Sequence, residues 1–322
     1  MESEMLKAIS VIARLPAIMV GAYQVMRRYL YNSSMVMHPI NLDESLAESI
    51  LSTLRDNREY TKEEAKLLDL CLMLHAEHGG GNNSTFTCRC VTSSGTDAYA
   101  AYASAISALK GPRHGGANIK VMEMLDCIEK GVKNWENEGE VADFLTKILN
   151  KEENDRSGLI YGMGHAVYTL SDPRAVQLKK AALKLAKGTE TEAEFRLLDT
   201  IERLTPQLFA KNKGDVKTMC ANVDMYSGLV YKLLGIPVEM YTALFACARM
   251  PGWCAHRMEE IENGKRIMRP AYRTGTTLLL TSADYKRTIE RRDNERHTFR
   301  QKGNIGRNYI RRCTDRAEDN SA

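Results

Sequence analysis

Helical signals run through this chain, and no alternating polar–apolar series marks a set of strands. Thr61-Lys62-Glu63-Glu64 reads as a capping box. It opens a helix with apolar positions at 67, 68, 70, 71, 72 and 74, and Gly79-Gly80-Gly81 should stop it. Residues 97–109 are rich in small side chains and predict a closely packed, buried helix. Amphipathic helices follow over 116–130 and 138–150. Asp172-Pro173 is an N-cap followed by proline at the first helical position. Further helices are expected at about 173–187, at 191–210 with Pro206 perturbing it, and at 223–234. A long one from Pro237 to about 262 should be kinked or divided at Pro251-Gly252. The fold class is therefore all-α. After about Gly275 the periodicity stops, and 276–322 reads as a flexible or weakly helical tail.

Charge adds little to this picture. The formal excess of +4 lies in the residues after Gly275, whose aromatics are not interleaved in the pattern of an RNA-reading surface. The basic balance is therefore no argument for nucleic acid. The longest uncharged run of the apolar N-terminal stretch, 15–26, is too short for a membrane span. None of the eight cysteines forms a C-x-x-C pair, and most lie in apolar runs. Buried thiols in a reducing, cytoplasmic setting are the expectation.

Three histidines, His78, His114 and His165, each touch glycine, in "AEHGGG", "PRHGGAN" and "GMGHAV". Glycine permits unusual backbone angles and close approach of a ligand, and histidine titrates near neutrality. The three suggest one pocket built from several loops. His75 and His78 are spaced as a workable metal pair, but nothing nearby completes a site, so no metal is expected. Asp224, in "ANVDMYSG", stands at a helix start, where it is either a cap or an acid held ionised by the helix end. Arg249 lies on an apolar face, where a charge needs a partner or a ligand. Arg174 and Arg269 read, taken alone, as surface charges.

The segments "HAEHGGGNNST", "GPRHGGAN", "GMGHAVYTLSDPR" and "NVDMYSG", then "LFACAR" and "RPAY", occur in the order and spacing of the citrate synthase family, which the chain resembles over most of 60–275. The resemblance implies a mostly helical homodimer of a large and a small domain. Their bounds here would be 1–115 with 235–275 for the large domain and 116–234 for the small one. It implies an acyltransferase of the tricarboxylic acid cycle that condenses acetyl-CoA with oxaloacetate and hydrolyses the thioester to citrate and CoA. By the same resemblance Asp224 is the base, His114 the neutral donor to the thioester oxygen, and His165 the group that polarises the oxaloacetate carbonyl. His78, Arg174 and Arg249 resemble the oxaloacetate shell, and Arg269 the arginine that reaches the partner subunit's site. Leu159, Ile160, Tyr161, Gly162, Met163 and Gly164 resemble the backbone that receives the CoA adenine. Acetyl-CoA enters as co-substrate, with no permanently bound cofactor. "ARLPAIMVGAY" resembles a segment well inside family members, so the chain reads as N-terminally short. Two alternatives accompany the leading one: a 2-methylcitrate synthase using propionyl-CoA, and a truncated, non-catalytic fragment that binds ligand or dimerises.

Overall fold

Helices α2, α3, α5, α7 and α8, whose bounds follow, begin where a side chain satisfies free N–H groups of the first turn. The computed structural model describes residues 2–164, 168, 170–213, 219–264 and 266–269. His165, residues 270–275 and the 276–322 tail lie outside the described residues. Two units separate, Met1–Met268 and Arg269–Ala322. In the first, the helices are α1 Glu2–Leu30, α2 Leu46–Leu54, α3 Lys62–His75, α4 Asn83–Thr92, α5 Ala98–Leu109 and α6 Ala117–Gly131. They continue with α7 Glu138–Leu149, α8 Pro173–Ala186, α9 Glu192–Lys213, α10 Asp224–Leu233 and α11 Tyr241–Asn263. No strand occurs among the described residues, only an isolated antiparallel bridge between Met163 and Ala221.

Capping boxes at Ser45/Glu48 and Thr61/Glu64 start α2 and α3. Asp97, Asn137 and Asp172 cap α5, α7 and α8, and Pro173 fills the first helical position of α8. Two expectations need correction. Helix α3 ends at His75, short of the glycines, because the Glu77 carboxylate takes the N–H groups of His78 and Gly79. Those donors would otherwise extend the ladder, and the His75 carbonyl receives Arg249 Nε instead. Pro251 does not divide α11, which is continuous from Tyr241 to Asn263. Pro206 likewise sits inside an unbroken α9.

Helices α6–α10 pack largely on one another, and α1–α5 largely on one another and on α11; α3 crosses onto α8. The larger hydrophobic cluster runs through both groups, from Ile50, Leu51 and Leu68 to Met124, Leu178, Phe195 and Leu229. A smaller cluster joins α4, α5, α11 and the start of α1 around Trp253, Met250, Tyr102 and Leu109. The alanines of α5, Ala98, Ala101 and Ala105, let backbones approach there. Each fully buried Leu, Phe or Met contributes about 1.5–3 kcal/mol to these cores.

Helix α1 is longer than the uncharged run suggested. By length and composition alone it is long and apolar enough to cross a membrane. Its Ala8, Met19 and Val20 are buried in the two cores, Gln24 is buried, and Glu4 pairs with both Lys7 and Arg257 of α11. These contacts seat one face of the helix on the protein, while most of its apolar window stays exposed.

Candidate active site

Four chain segments carry the candidate residues, and the charged ones lie close enough to shift one another's titration. The first is the turn after α3. Arg249, in the middle of α11, is 1% exposed and donates Nε to the His75 carbonyl. Its guanidinium lies 5.0 Å from the centre of the Phe245 ring. Burial pushes its pKa down to about 10, and the Glu77 carboxylate opposes that fall, so the charge stays on. Glu77 is fixed in turn by His256, whose Nε2 is 3.0 Å from Oε1. Gly252 is required where it stands: a Cβ there would meet the Ala76 carbonyl oxygen at 2.1 Å. This clamp sets the backbone of half-buried His78. His75 donates Nδ1–H to the Cys71 carbonyl, and burial lowers its pKa to about 4, which keeps the ring neutral. Arg249 Nη1 and His75 Nε2 are both buried without a hydrogen-bond partner. Orphaned polar atoms of this kind mark a place for a ligand or water.

The second segment carries His114, between α5 and α6. The turn is built from backbone: the Gly115 N–H donates to the Leu109 carbonyl at 2.8 Å, and Thr242 Oγ1 donates to the Gly115 carbonyl at 2.9 Å. A Cβ on Gly115 would lie 2.3 Å from the Leu109 oxygen. The ring's Nε2 faces the first turn of α4, 2.9 Å from Ser84 Oγ and 3.4 Å from the Ser84 backbone nitrogen. The Ser84 hydroxyl donates to Asn82 Oδ1 at 2.9 Å, while the Ser84 backbone N–H, which only donates, points at Nε2 and favours the ring tautomer with its proton on Nδ1. Burial, aided by Arg249, lowers the His114 pKa below its ordinary value. The ring is therefore a neutral N–H donor. Trp253 Nε1 donates to the same Ser84 Oγ at 3.3 Å.

The third and fourth segments bring in the acids. Residues 162–164 run antiparallel to 220–222, joined by Asn222 N–H to the Gly162 carbonyl at 2.9 Å and Gly164 N–H to the Cys220 carbonyl at 2.8 Å. Gly162 has φ +82, and a Cβ there would meet Met225 Sδ at 2.6 Å. The bridge holds the 159–164 loop against the start of α10, where Asp224 is the first residue. Within that loop Ile160 is buried, Leu159 is exposed, and Tyr161 donates its hydroxyl to Asp155. The Asp224 backbone N–H is taken by Asn222 Oδ1 at 3.0 Å. No hydrogen bond to its carboxylate occurs among the described residues. Burial raises the Asp224 pKa to about 6, against the pull of Arg174 and Arg249. Arg174, at the start of α8, forks onto the fully buried Asp172 carboxylate, with Nε at 3.0 Å and Nη2 at 2.8 Å.

The structure thus gathers Asp224, Arg174 and Arg249 into mutual electrostatic contact, with His114 within reach of the Arg249 field. Arg269 is exposed and belongs to the second unit. Several site residues escaped sequence reasoning. Ser84, Trp253 and His256 read as ordinary helix residues, and Asp172 as a cap alone. Only the cap signal before α8 had a local signature.

The group comprises a neutral donor, a carboxylate of raised pKa without a hydrogen bond among the described residues, and two guanidinium groups. It can receive an anion and remove a weakly acidic proton. Comparison with known proteins gives the same direction. The protein is 40% identical over 212 residues to the citrate synthase of Deinococcus radiodurans, spanning 66% of this chain and 51% of that protein. Against the citrate synthase of Saccharolobus solfataricus it is 34% identical over 274 residues, 84% of this chain and 65% of that one. The chain spans about half the length of several of the curated relatives it matches. The crystal structure of citrate synthase from Thermotoga maritima superposes with a TM-score of 0.70 at 32% identity, over 87% of this chain and 70% of that one. The Thermoplasma acidophilum citrate synthase, solved as a ternary complex with carboxymethyl coenzyme A and oxaloacetate, superposes with a TM-score of 0.68 at 29% identity, over 88% and 70%. The family model for the citrate synthase C-terminal domain matches residues 1–271, and the chain belongs to the citrate synthase family.

Proposed function

We propose that this protein condenses acetyl-CoA with oxaloacetate and hydrolyses the resulting thioester to citrate and CoA. One observation carries the reading above the others: a carboxylate with pKa raised to about 6 beside two guanidinium groups, in a group that also includes a neutral histidine donor. A thioester methyl is a very weak carbon acid. Asp224 removes its proton, and the developing charge on the thioester oxygen is met by Nδ1–H of His114. A preorganised donor of this kind contributes about 10²–10³ in rate. Arg249 and Arg174, with His78, take the carboxylates of oxaloacetate, a task suited to forked guanidinium groups. The buried, orphaned Nη1 of Arg249 supports that assignment. His165 polarises the oxaloacetate carbonyl, and the backbone of 159–164 receives the CoA adenine.

On this reading residues 1–115 with 235–275 form a large domain and 116–234 a small one, closing over the substrates. The separate packing of α6–α10 supports the division. The protein acts as a homodimer in which Arg269 completes the partner subunit's site. Exposed Leu6, Ile9, Ile18 and Tyr29 on α1 support a subunit contact. A cytoplasmic setting fits the free cysteines at 71, 88, 90, 127, 220, 247 and 254.

The test is thiol release on mixing the protein with oxaloacetate and either acetyl-CoA or propionyl-CoA. Release with acetyl-CoA, lost in Asp224→Ala, is the expected result. Oxaloacetate binding without thiol release from either thioester overturns the proposal.

A further inference from the structure

The loop between α3 and α4 carries His78 and has little packing of its own. Three glycines follow that residue, Gly79 at φ +82, and a Cβ on Gly79 or Gly81 would touch nothing within 4 Å. One imidazole is pinned against this loop. His256 of α11 is mostly buried, and a Cβ on Gly80 would meet its Cε1 at 3.4 Å. Its Nε2 lies 3.0 Å from Glu77 Oε1, and its Nδ1 lies 3.0 Å from Nη1 of Arg89, in α4. A guanidinium only donates, and an ionised carboxylate only accepts. Burial opposes the ionisation of Glu77, but hydrogen bonds from His256 and from the Gly79 and His78 amides outweigh it and lower its pKa. Nδ1 of His256 therefore carries the lone pair, and the ring proton sits on Nε2. Glu259 Oε2, 3.5 Å from Nδ1, is taken by the same Arg89 Nη1 at 2.5 Å, and Arg89 Nη2 lies 3.0 Å from Glu260. Glu77 Oε1 also accepts the backbone N–H of His78 at 2.8 Å and that of Gly79.

We infer that His256 is a positioning residue for the turn that carries His78: Arg89 fixes its ring as the Nε2–H tautomer, and that N–H holds the Glu77 carboxylate on the backbone amides of His78 and Gly79. Glutamate has three side-chain rotors, and half of the Glu77 side chain faces water. Without a fixed donor on α11 it would leave the two amides, and the glycines could not keep the turn in place. The link to oxaloacetate rests on the proposed role of His78 in binding that substrate. The state of the ring and of the two amides stands apart from it. A bland alternative exists: Arg89, His256, Glu259 and Glu260 form an ion-pair network that contributes only to stability. That alternative leaves the turn amides and the oxaloacetate affinity indifferent to the donor at position 256.

The experiment is NMR on the full chain, reading ¹⁵N-histidine shifts and amide hydrogen exchange, alongside thiol release from acetyl-CoA and oxaloacetate. The parent protein should show His256 with pyrrole-type Nε2 and pyridine-type Nδ1, and slow exchange at the His78 and Gly79 amides. His256→Gln places an amide N–H near the position of Nε2 and should keep that protection. His256→Asn is too short to reach Glu77. Exchange at the two amides should then quicken, and KM for oxaloacetate should rise about tenfold, with a smaller change in kcat. Both variants remove the ring, so a role in packing alone would affect them alike. In Arg89→Met the ring should become a mixture of tautomers, with part of the protection lost. A parent ring protonated on Nδ1, equal exchange in the Gln and Asn variants, or an oxaloacetate KM unmoved in His256→Asn overturns the inference. Should His256→Asn fail to fold, the Arg89→Met spectra decide, and an unchanged ring tautomer there overturns it. If the parent protein releases no thiol, the proposed function fails, and the ring and amide spectra still decide the role of His256.

Discussion

The segments that carry His114 and Asp224 are built by opposite means. On the donor side, His114 is held at its outer nitrogen by Ser84, which is held by Trp253, and its backbone is pinned through Gly115 to Leu109 and Thr242. On the acid side, Asp224 has its backbone fixed by Asn222 while its carboxylate is left without a hydrogen bond among the described residues. Position is secured in both cases, and only the second leaves the functional atoms ungripped. A donor gains from preorganisation, because it must already point where charge develops. A base gains from poor solvation, which raises its proton affinity towards the working pH. The contrast is energetic as well. The acid side stores instability that the donor side does not.

The sharpest way to break this comparison is Asp224→Asn. Thiol release should fall by about 10²–10⁴-fold. Stability at pH 7 should rise by up to about 3 kcal/mol, since a pKa moved from 3.8 to about 6 is a cost carried by the ionised form. Denaturant melts of the two proteins measure it, and a destabilised Asn variant would show that the carboxylate is a structural partner after all.

His114→Ala comes next. We expect thiol release to fall about 10²–10³-fold without any gain in stability, because the ring is satisfied in the folded state. A stability gain equal to that of Asp224→Asn would erase the difference between the sides.

Gly115→Ala probes the backbone support of the donor. The new methyl would overlap the Leu109 carbonyl, and a loss of about 1–3 kcal/mol is expected in thermal or denaturant melts. An unchanged melt would mean that the turn relaxes freely and that His114 is less firmly placed than its hydrogen bonds indicate.

The smallest effect is one of pH. The proposed mechanism requires Asp224 ionised and His114 neutral, so kcat/KM should drop as pH falls through about 6. The stability contribution has the opposite sign. A carboxyl whose folded pKa is raised destabilises the fold above about 6, and the cost is relieved as pH falls from there towards its ordinary value. Between pH 7 and 5, Asp224 alone should therefore gain stability while losing rate. An activity profile flat from pH 7 to 5 would remove Asp224 as the base.

Local reading of the sequence reached most helices because helix ends are announced by neighbours in the chain. Thr61 and Glu64, or Asp172 and Pro173, lie within one turn of each other. It failed at the end of α3, where Glu77 and Arg249 together stop the helix before the glycines. The carboxylate is local, but its anchorage by His256 comes from α11. It missed α2 and α4 as well: the Ser45–Glu48 capping box of α2 lies within one turn and was legible, whereas α4 is a polar segment with no side-chain cap to announce it. Asp224, His114 and Arg249 were found by their company in ordered motifs. Ser84, Trp253 and His256 have no such signature, since each acts on a residue far away in the chain.

By itself, then, the sequence determined the all-α class, most helix boundaries, the family resemblance and the choice of candidate site residues. All of these depend on spacing within a turn or on the order of short segments. The tertiary structure alone decided the electrostatic state of those side chains. Burial raises Asp224 and lowers His114, and the α4 turn chooses which nitrogen of that ring carries the proton. Protonation depends on desolvation and on neighbouring charges and dipoles, and these are properties of packing that residue order does not display.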